Sequence, residues 1–106
     1  MVNEIYLAGI RFSDNSASKV RPVLIIKQNS FGDFIFLPLT TNLQLKGFEI
    51  NNSNLSNGYL PKTSLIIYEK PGVIAPELLI KSLGVLEINS FKKVKSLLIE
   101  FLNSEN

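Results

Sequence analysis

The chain has 106 residues, 45% of them hydrophobic and 19% charged, with a formal net charge of +2 and neither His nor Cys. That size and balance predict a single domain over residues 1–106 with one modest core, and exclude a disordered chain. The missing His and Cys exclude a disulfide scaffold, a thiolate zinc site and histidine or cysteine catalysis, while the mild positive charge permits an acidic partner without demanding one.

The first residues, Met1-Val2-Asn3-Glu4, lack the basic region and apolar stretch of a signal peptide. The longest purely aliphatic run, Val23 to Ile26, is far short of the roughly 20 residues that span a bilayer. A cytoplasmic protein with no membrane contact is expected. Glu4 to Ile10 is rich in strand formers, and Ser13 to Ser18 is a polar loop of turn-forming residues. Val20 to Lys27 reads as a buried strand with Pro22 near its start, where a missing donor does least harm. Asn29-Ser30-Phe31-Gly32-Asp33 makes a turn into a strand from Phe34 to Leu39, so the pair is expected as a hairpin.

Gly47 to Ile50 is a short candidate strand, Asn51 to Gly58 a loop dense in Asn and Ser, and Ser64 to Glu69 a further strand. Pro71-Gly72 and Ala75-Pro76 break the chain before a strand from Leu79 to Leu86, whose Gly84 marks a bulge or a close backbone approach. Only the end of the chain has helical periodicity: Phe91, Val94, Leu97, Leu98 and Phe101 fall on one side, with Asn89 or Ser90 available as the cap. Lys92, Lys93 and Lys95 then project toward solvent. Five or six short strands and one terminal helix predict a mainly β protein, a strongly bent sheet or partly open small barrel with the helix packed on it.

The chemistry concentrates in two segments. Lys19-Val20-Arg21-Pro22 delivers a guanidinium from a polar loop into an apolar strand, and Pro38-Leu39-Thr40-Thr41-Asn42 ends the next strand with two hydroxyls and an amide. If these strands pair, a fixed cation faces small hydrogen-bonding groups at the rim of the core, which suits a phosphodiester. RNA cleaved through its own 2′-hydroxyl needs no external nucleophile. It needs charge stabilisation at phosphorus, which the forked donors of Arg21 supply, and a hydrogen bond to a phosphoryl oxygen or the ribose, which Thr40 supplies. Neither is a general base near neutral pH. Glu69 and Asp14 are the carboxylates available to assist, and the sequence does not choose between them. Neither has metal-ligand spacing, so no metal and no cofactor are expected. Each residue also has an ordinary reading: Arg21 as an ion-pair residue at a strand edge, Thr40 and Thr41 as strand residues, Phe12 as core rather than a platform for a stacked base, and Asn42 as a turn residue rather than a reader of a base edge.

Glu4-Ile5-Tyr6-Leu7-Ala8, Lys19 to Ile26, Pro38 to Asn42, Thr63 to Ile67 and Lys81 to Leu86 occur in the order seen in the MazF/PemK (Kid) toxins, and the terminal helix fits as well, so the chain resembles that family over nearly its whole length. The resemblance implies an SH3-like small barrel of the MazF/CcdB type. It further implies a homodimeric, metal-independent endoribonuclease toxin of a type II toxin-antitoxin system, acting on single-stranded RNA (mRNA) and held in check by a small acidic antitoxin. By the same resemblance Arg21 and Thr40 are the catalytic pair, Thr41 is the rival for the hydroxyl, the loop from Ser13 to Lys19 is the mobile loop, and Phe12 is the aromatic near its start. Phe12, Lys19, Thr41, Asn42 and Glu69 are the substrate-binding candidates. The family's usual Gly-Asp-like opening is Asn3-Glu4 here, and Lys62 and Thr63 stand where some members carry an Asp. A non-enzymatic binding module on the same fold, a CcdB-like gyrase binder or a catalytically silent relative, is the alternative. The paired Arg21 and Thr40 favour the enzyme.

Overall fold

A computed structural model of the protein describes residues 2–10 and 19–105. Among them the chain forms β1 (Glu4–Ile10), β2 (Lys19–Gln28), β3 (Phe34–Thr40), β4 (Phe48–Ile50), β5 (Leu55–Gly58), β6 (Ser64–Ile66), β7 (Gly72–Ile74), β8 (Leu79–Leu86) and one long helix, α1 (Ile88–Asn103). The strands pair antiparallel in the order β4-β6-β3-β2-β1-β8-β5, and β7 pairs with the first half of β3. The two end strands of that order, β4 and β5, are consecutive in the chain. Five Cα steps from Ile50 to Leu55 reach at most roughly 18 Å, so the sheet has to curl until its edges approach. Register shifts in β1–β8 and β2–β3 supply local bends. The result is the expected SH3-like architecture, mainly β with a C-terminal helix.

Register decides which side chains face the core. Ile5 pairs with Leu24 and Leu24 with Leu37, and all three are fully buried. They join Leu39, Ile50, Leu60, Ile66, Tyr68 and Leu86 in a cluster that α1 closes with Phe91 and Val94. One residue along, the other face of the same strands carries Ala8, Val23, Ile25, Phe34, Phe36 and Ile74, with Tyr6, Ile10 and Leu79 packed at its margin. The β2–β3 hairpin fixes this register. Its turn is tied by the Asn29 side chain, which accepts from the Phe31 and Asp33 amides at 2.9 and 3.0 Å.

The structure corrects the sequence reading in four places. The Asn- and Ser-rich stretch from Asn51 to Gly58 is not all loop. It contains a 3-10 turn, Asn52–Asn54, and β5, whose Leu55, Asn57 and Gly58 pair with Leu86, Val85 and Gly84. Its turn-forming composition loses to backbone pairing with β8, and the match depends on two glycines. A Cβ on Gly84 would lie 2.5 Å from the Asn57 carbonyl oxygen, and one on Gly58, at φ 95°, would collide with the Leu83 carbonyl. Gly84 thus marks the close approach read from the sequence. Second, Gly72–Ile74 is a strand rather than a break, held by Phe36↔Gly72 pairing. Third, the strand from Ser64 stops at Ile66, and a turn closed by the Lys70 amide on the Ile67 carbonyl follows. Fourth, the helix cap is Glu87, not Asn89 or Ser90. Its carboxylate accepts from the Ser90 amide and hydroxyl, both at 2.7 Å, and from the Asn89 amide at 3.3 Å. The helical stripe also fades toward its end: Phe91 and Val94 are buried, Leu97 and Leu98 half-buried, and Phe101 exposed. Lys92, Lys93 and Lys95 are exposed as expected.

Candidate active site

Arg21 enters β2 opposite Ala8 of β1. On the other side, the β2–β3 ladder ends at Val23↔Pro38. Two residues further in the same register, Arg21 stands opposite Thr40, on the outer face and beyond the last paired position. The side chains are therefore presented together where the two strands begin to part. Both line an open cleft of about 590 Å³ walled by Ile10, Phe36, Pro38, Leu39, Leu45 and Ile67 and rimmed by Lys46, Glu69 and Lys70. Thr40 is oriented by its own turn: its Oγ1 accepts from the Asn42 amide at 3.1 Å. Accepting there leaves the hydroxyl proton to be donated elsewhere.

The rim is electropositive, with Arg21, Lys46 and Lys70 against the single carboxylate Glu69 among the described lining residues. Lys46 Nζ lies 2.9 Å from a Glu69 carboxylate oxygen. The hydrogen bond to Glu69, and then its charge, hold the Lys46 ammonium above the ordinary lysine value, so it remains a cation. A cleft with a planar cation, an oriented hydroxyl, mobile ammonium groups and apolar walls can hold a phosphodiester by its oxygens and leave flanking groups against the walls. Among the described residues no group of three acidic side chains comes together to hold a metal ion. No described helix is long and apolar enough to cross a membrane.

Of the residues singled out from the sequence, Arg21, Thr40 and Glu69 meet at this cleft. Lys19 is exposed on β2, on the same face as Arg21 and opposite Ile10 of the cleft wall. Thr41 and Asn42 are exposed and do not line the cleft, and Asn42 is a turn residue: its amide donates to Thr40 and its Oδ1 accepts from the Gln44 amide at 3.1 Å. Phe12 and Asp14 lie outside the described residues. Sequence reasoning missed Lys46 and Lys70. Lys46-Gly47 was the available signal, because a glycine beside a lysine lets the backbone press close to another strand.

A family model described as the PemK-like, MazF-like toxin of type II toxin-antitoxin systems matches residues 2–102. No curated protein matches the sequence. Among solved structures, the chain is similar to the Mycobacterium tuberculosis toxin MazF-mt6, with a TM-score of 0.72 at 19% identity over 97% of this chain and 99% of that one. It is also similar to a mycobacterial endoribonuclease in complex with its cognate antitoxin (TM-score 0.71, 15% identity, 100% and 97% of the two chains). A third likeness is to MazF from Deinococcus radiodurans (TM-score 0.68, 13% identity, 96% and 94%).

Proposed function

Because the chain belongs to the PemK-like, MazF-like toxins of type II toxin-antitoxin systems, we propose that it is a metal-independent endoribonuclease that cleaves single-stranded mRNA at the Arg21–Thr40 cleft. The observation that carries the proposal is the placement of Arg21 opposite Thr40, on one face of a cationic cleft. The scissile phosphate lies between them. Arg21 donates in forked fashion to the non-bridging oxygens and stabilises the charge that grows on them in the pentacoordinate state. Thr40, its oxygen fixed by the Asn42 amide, donates its proton to a phosphoryl oxygen or to the ribose. Lys46 and Lys70 draw the backbone in. Lys19, further along β2, meets the next phosphate. Thr41 and Asn42 shape the turn that holds Thr40.

The toxin works in the cytoplasm, where its substrate is, as a homodimer with RNA lying across the two-fold interface. Its inhibitor is a small acidic antitoxin whose tail covers Arg21, a reading supported by the mycobacterial endoribonuclease of this fold in complex with its antitoxin. Incubating the purified protein with a long structureless RNA in the presence of EDTA tests the activity. Discrete fragments are expected, and intact RNA would point instead to a binding module. Light scattering at micromolar concentration is expected to give twice the monomer mass; a monomer would overturn the dimeric groove.

A further inference from the structure

We propose that Asn57 is a site of covalent modification: its side-chain amide is lost to the backbone nitrogen of Gly58, the residue passes to isoaspartate, and the seam between β5 and β8 opens. The site stands apart from the ribonuclease reading, since no residue of β5 or β8 is among the described residues that line the cleft. Asn57-Gly58 is the one Asn-Gly pair in the chain. Glycine has no Cβ, so it leaves the attacking nitrogen unhindered. Asn3, Asn29, Asn42, Asn51, Asn52 and Asn54 hold their side-chain amides in hydrogen bonds. Asn57 is exposed, and its side chain has no hydrogen-bond partner among the described residues. Asn89 and Asn103 are held on α1 and are followed by serine.

The backbone presents the nucleophile. The Asn57 carbonyl oxygen is turned to β8, where a Cβ on Gly84 would lie 2.5 Å from it. In a trans peptide the N–H points the opposite way, so the Gly58 nitrogen is directed away from β8, and β5 is the last strand of the sheet order. An extended strand keeps the Asn57 carboxamide carbon away from that nitrogen, so the reaction waits on β5 lifting from β8. Little holds the strand down. Leu55 is half-buried, Ser56, Asn57 and Gly58 are exposed, and the Ser56 hydroxyl donates to the Val85 carbonyl at a long 3.4 Å. Such an edge opens locally at small cost. The movement is confined, because the Asn52 side chain grips the amide and the carbonyl of Leu60, at 2.6 and 2.9 Å.

In the lifted segment, hydroxide takes the Gly58 amide proton and the nitrogen bonds to Asn57 Cγ. The Cγ–Nδ2 bond breaks, ammonia leaves with a proton from water, and a succinimide ring remains. Water then opens the ring. Breaking the bond from nitrogen to the former main-chain carbonyl carbon routes the chain through Cγ and gives isoaspartate; breaking the bond to Cγ gives aspartate. Isoaspartate inserts a methylene into the main chain and adds a carboxylate. Gly58, at φ 95°, and Gly84 pass each other with no room for a Cβ on either, so the lengthened strand cannot return to its register.

Ageing the purified protein in mildly alkaline buffer tests this, read by mass-spectrometric peptide mapping and by enzymatic methyl labelling of isoaspartate. Asn57 should be modified before any other asparagine, at a rate within about tenfold of that in urea, as for an edge segment that opens at little cost. The isoaspartate form, separated by ion exchange, should melt at least roughly 5 °C below the fresh protein. Asn57→Gln, whose longer side chain closes the ring poorly, should stay homogeneous and keep its melting temperature over the same time. Freshly prepared Asn57→Asp carries the new charge without the lengthened chain and should melt close to the fresh protein. Asn57 left intact in the folded protein while the chain in urea is converted would overturn the proposal, as would an Asn57→Gln variant that loses stability as fast as the wild type. An isoaspartate form that melts with the fresh protein, or an Asn57→Asp variant that melts as low as that form, would overturn the opening of the seam.

Discussion

Along β2, Leu24 points into the barrel and joins the cluster closed by α1, while Val23 and Arg21 point outward, one into a small apolar cluster and the other into the cleft. Along β3, Leu37 and Leu39 point in, while Phe36, Pro38 and Thr40 point out. The strands are the same and the register is the same, yet one face is sealed and the other opens at its end. The lesson is that the site needs no separate scaffold. It begins where the outer apolar row runs out and the ladder stops, so Arg21 and Thr40 inherit their positions from the core pairs behind them.

Substitutions on the two faces should therefore fail in different ways. The largest effect on folding is expected from the inner face. Leu37→Ala empties a fully buried position and should cost about 2–5 kcal/mol, a large share of the stability of a small domain. Thermal or urea unfolding reads this, and cleavage per folded molecule should be unchanged. On the outer face, Thr40→Val keeps the shape and loses the hydroxyl. Cleavage should drop by about 10² with little change in melting temperature, because the position is half-buried and its one partner is a solvent-exposed turn amide. Thr41→Val should change cleavage far less. Loss at Thr41 with none at Thr40 would move the hydroxyl to the opposite strand face.

The smallest effect lies away from both faces, at the helix start. Hydrogen bonds from Ser90, its hydroxyl first and then its amide, hold the Glu87 carboxyl below the ordinary glutamate value of 4.5. Its folded pKa is the lower one, so its stabilisation is complete above the unfolded value and is lost as the pH falls through the folded value. Glu87→Ala should lower the melting temperature slightly at neutral pH and hardly at all in acid. Equal losses at both pH values would mean the carboxylate charge plays no part.

Much of this division was legible before the structure. That Arg21 and the Thr40-Thr41 pair come to the same end of a hairpin was readable on paper, because a five-residue turn, Asn29 to Asp33, joins two apolar runs. Which hydroxyl faces Arg21 was not, because the bulge between Ile25 and Lys27 shifts the register by one residue, and counting from Gln28↔Phe34 without it would set Arg21 opposite Thr41. The terminal helix followed from its period, but its cap did not, because Glu87 caps by reaching to Ser90 three residues on. What stayed hidden depends on contacts distant in sequence. β5 reads as a loop because Ser, Asn and Gly favour turns, and only the approach of Gly58 to Gly84 makes it a strand. Lys46 reads as one more surface lysine, since nothing local says that Gly47 packs on the Ile66 carbonyl and brings it to Glu69.

The central claim is that the guanidinium of Arg21 at the open end of the outer face holds the reacting phosphate, and Arg21→Lys tests it most directly. Lysine keeps the charge and loses the planar fork. Single-turnover cleavage of a structureless RNA should fall roughly 10²–10³-fold while the melting temperature and the solution mass match the wild type. Cleavage by Arg21→Lys at close to the wild-type rate would contradict the account.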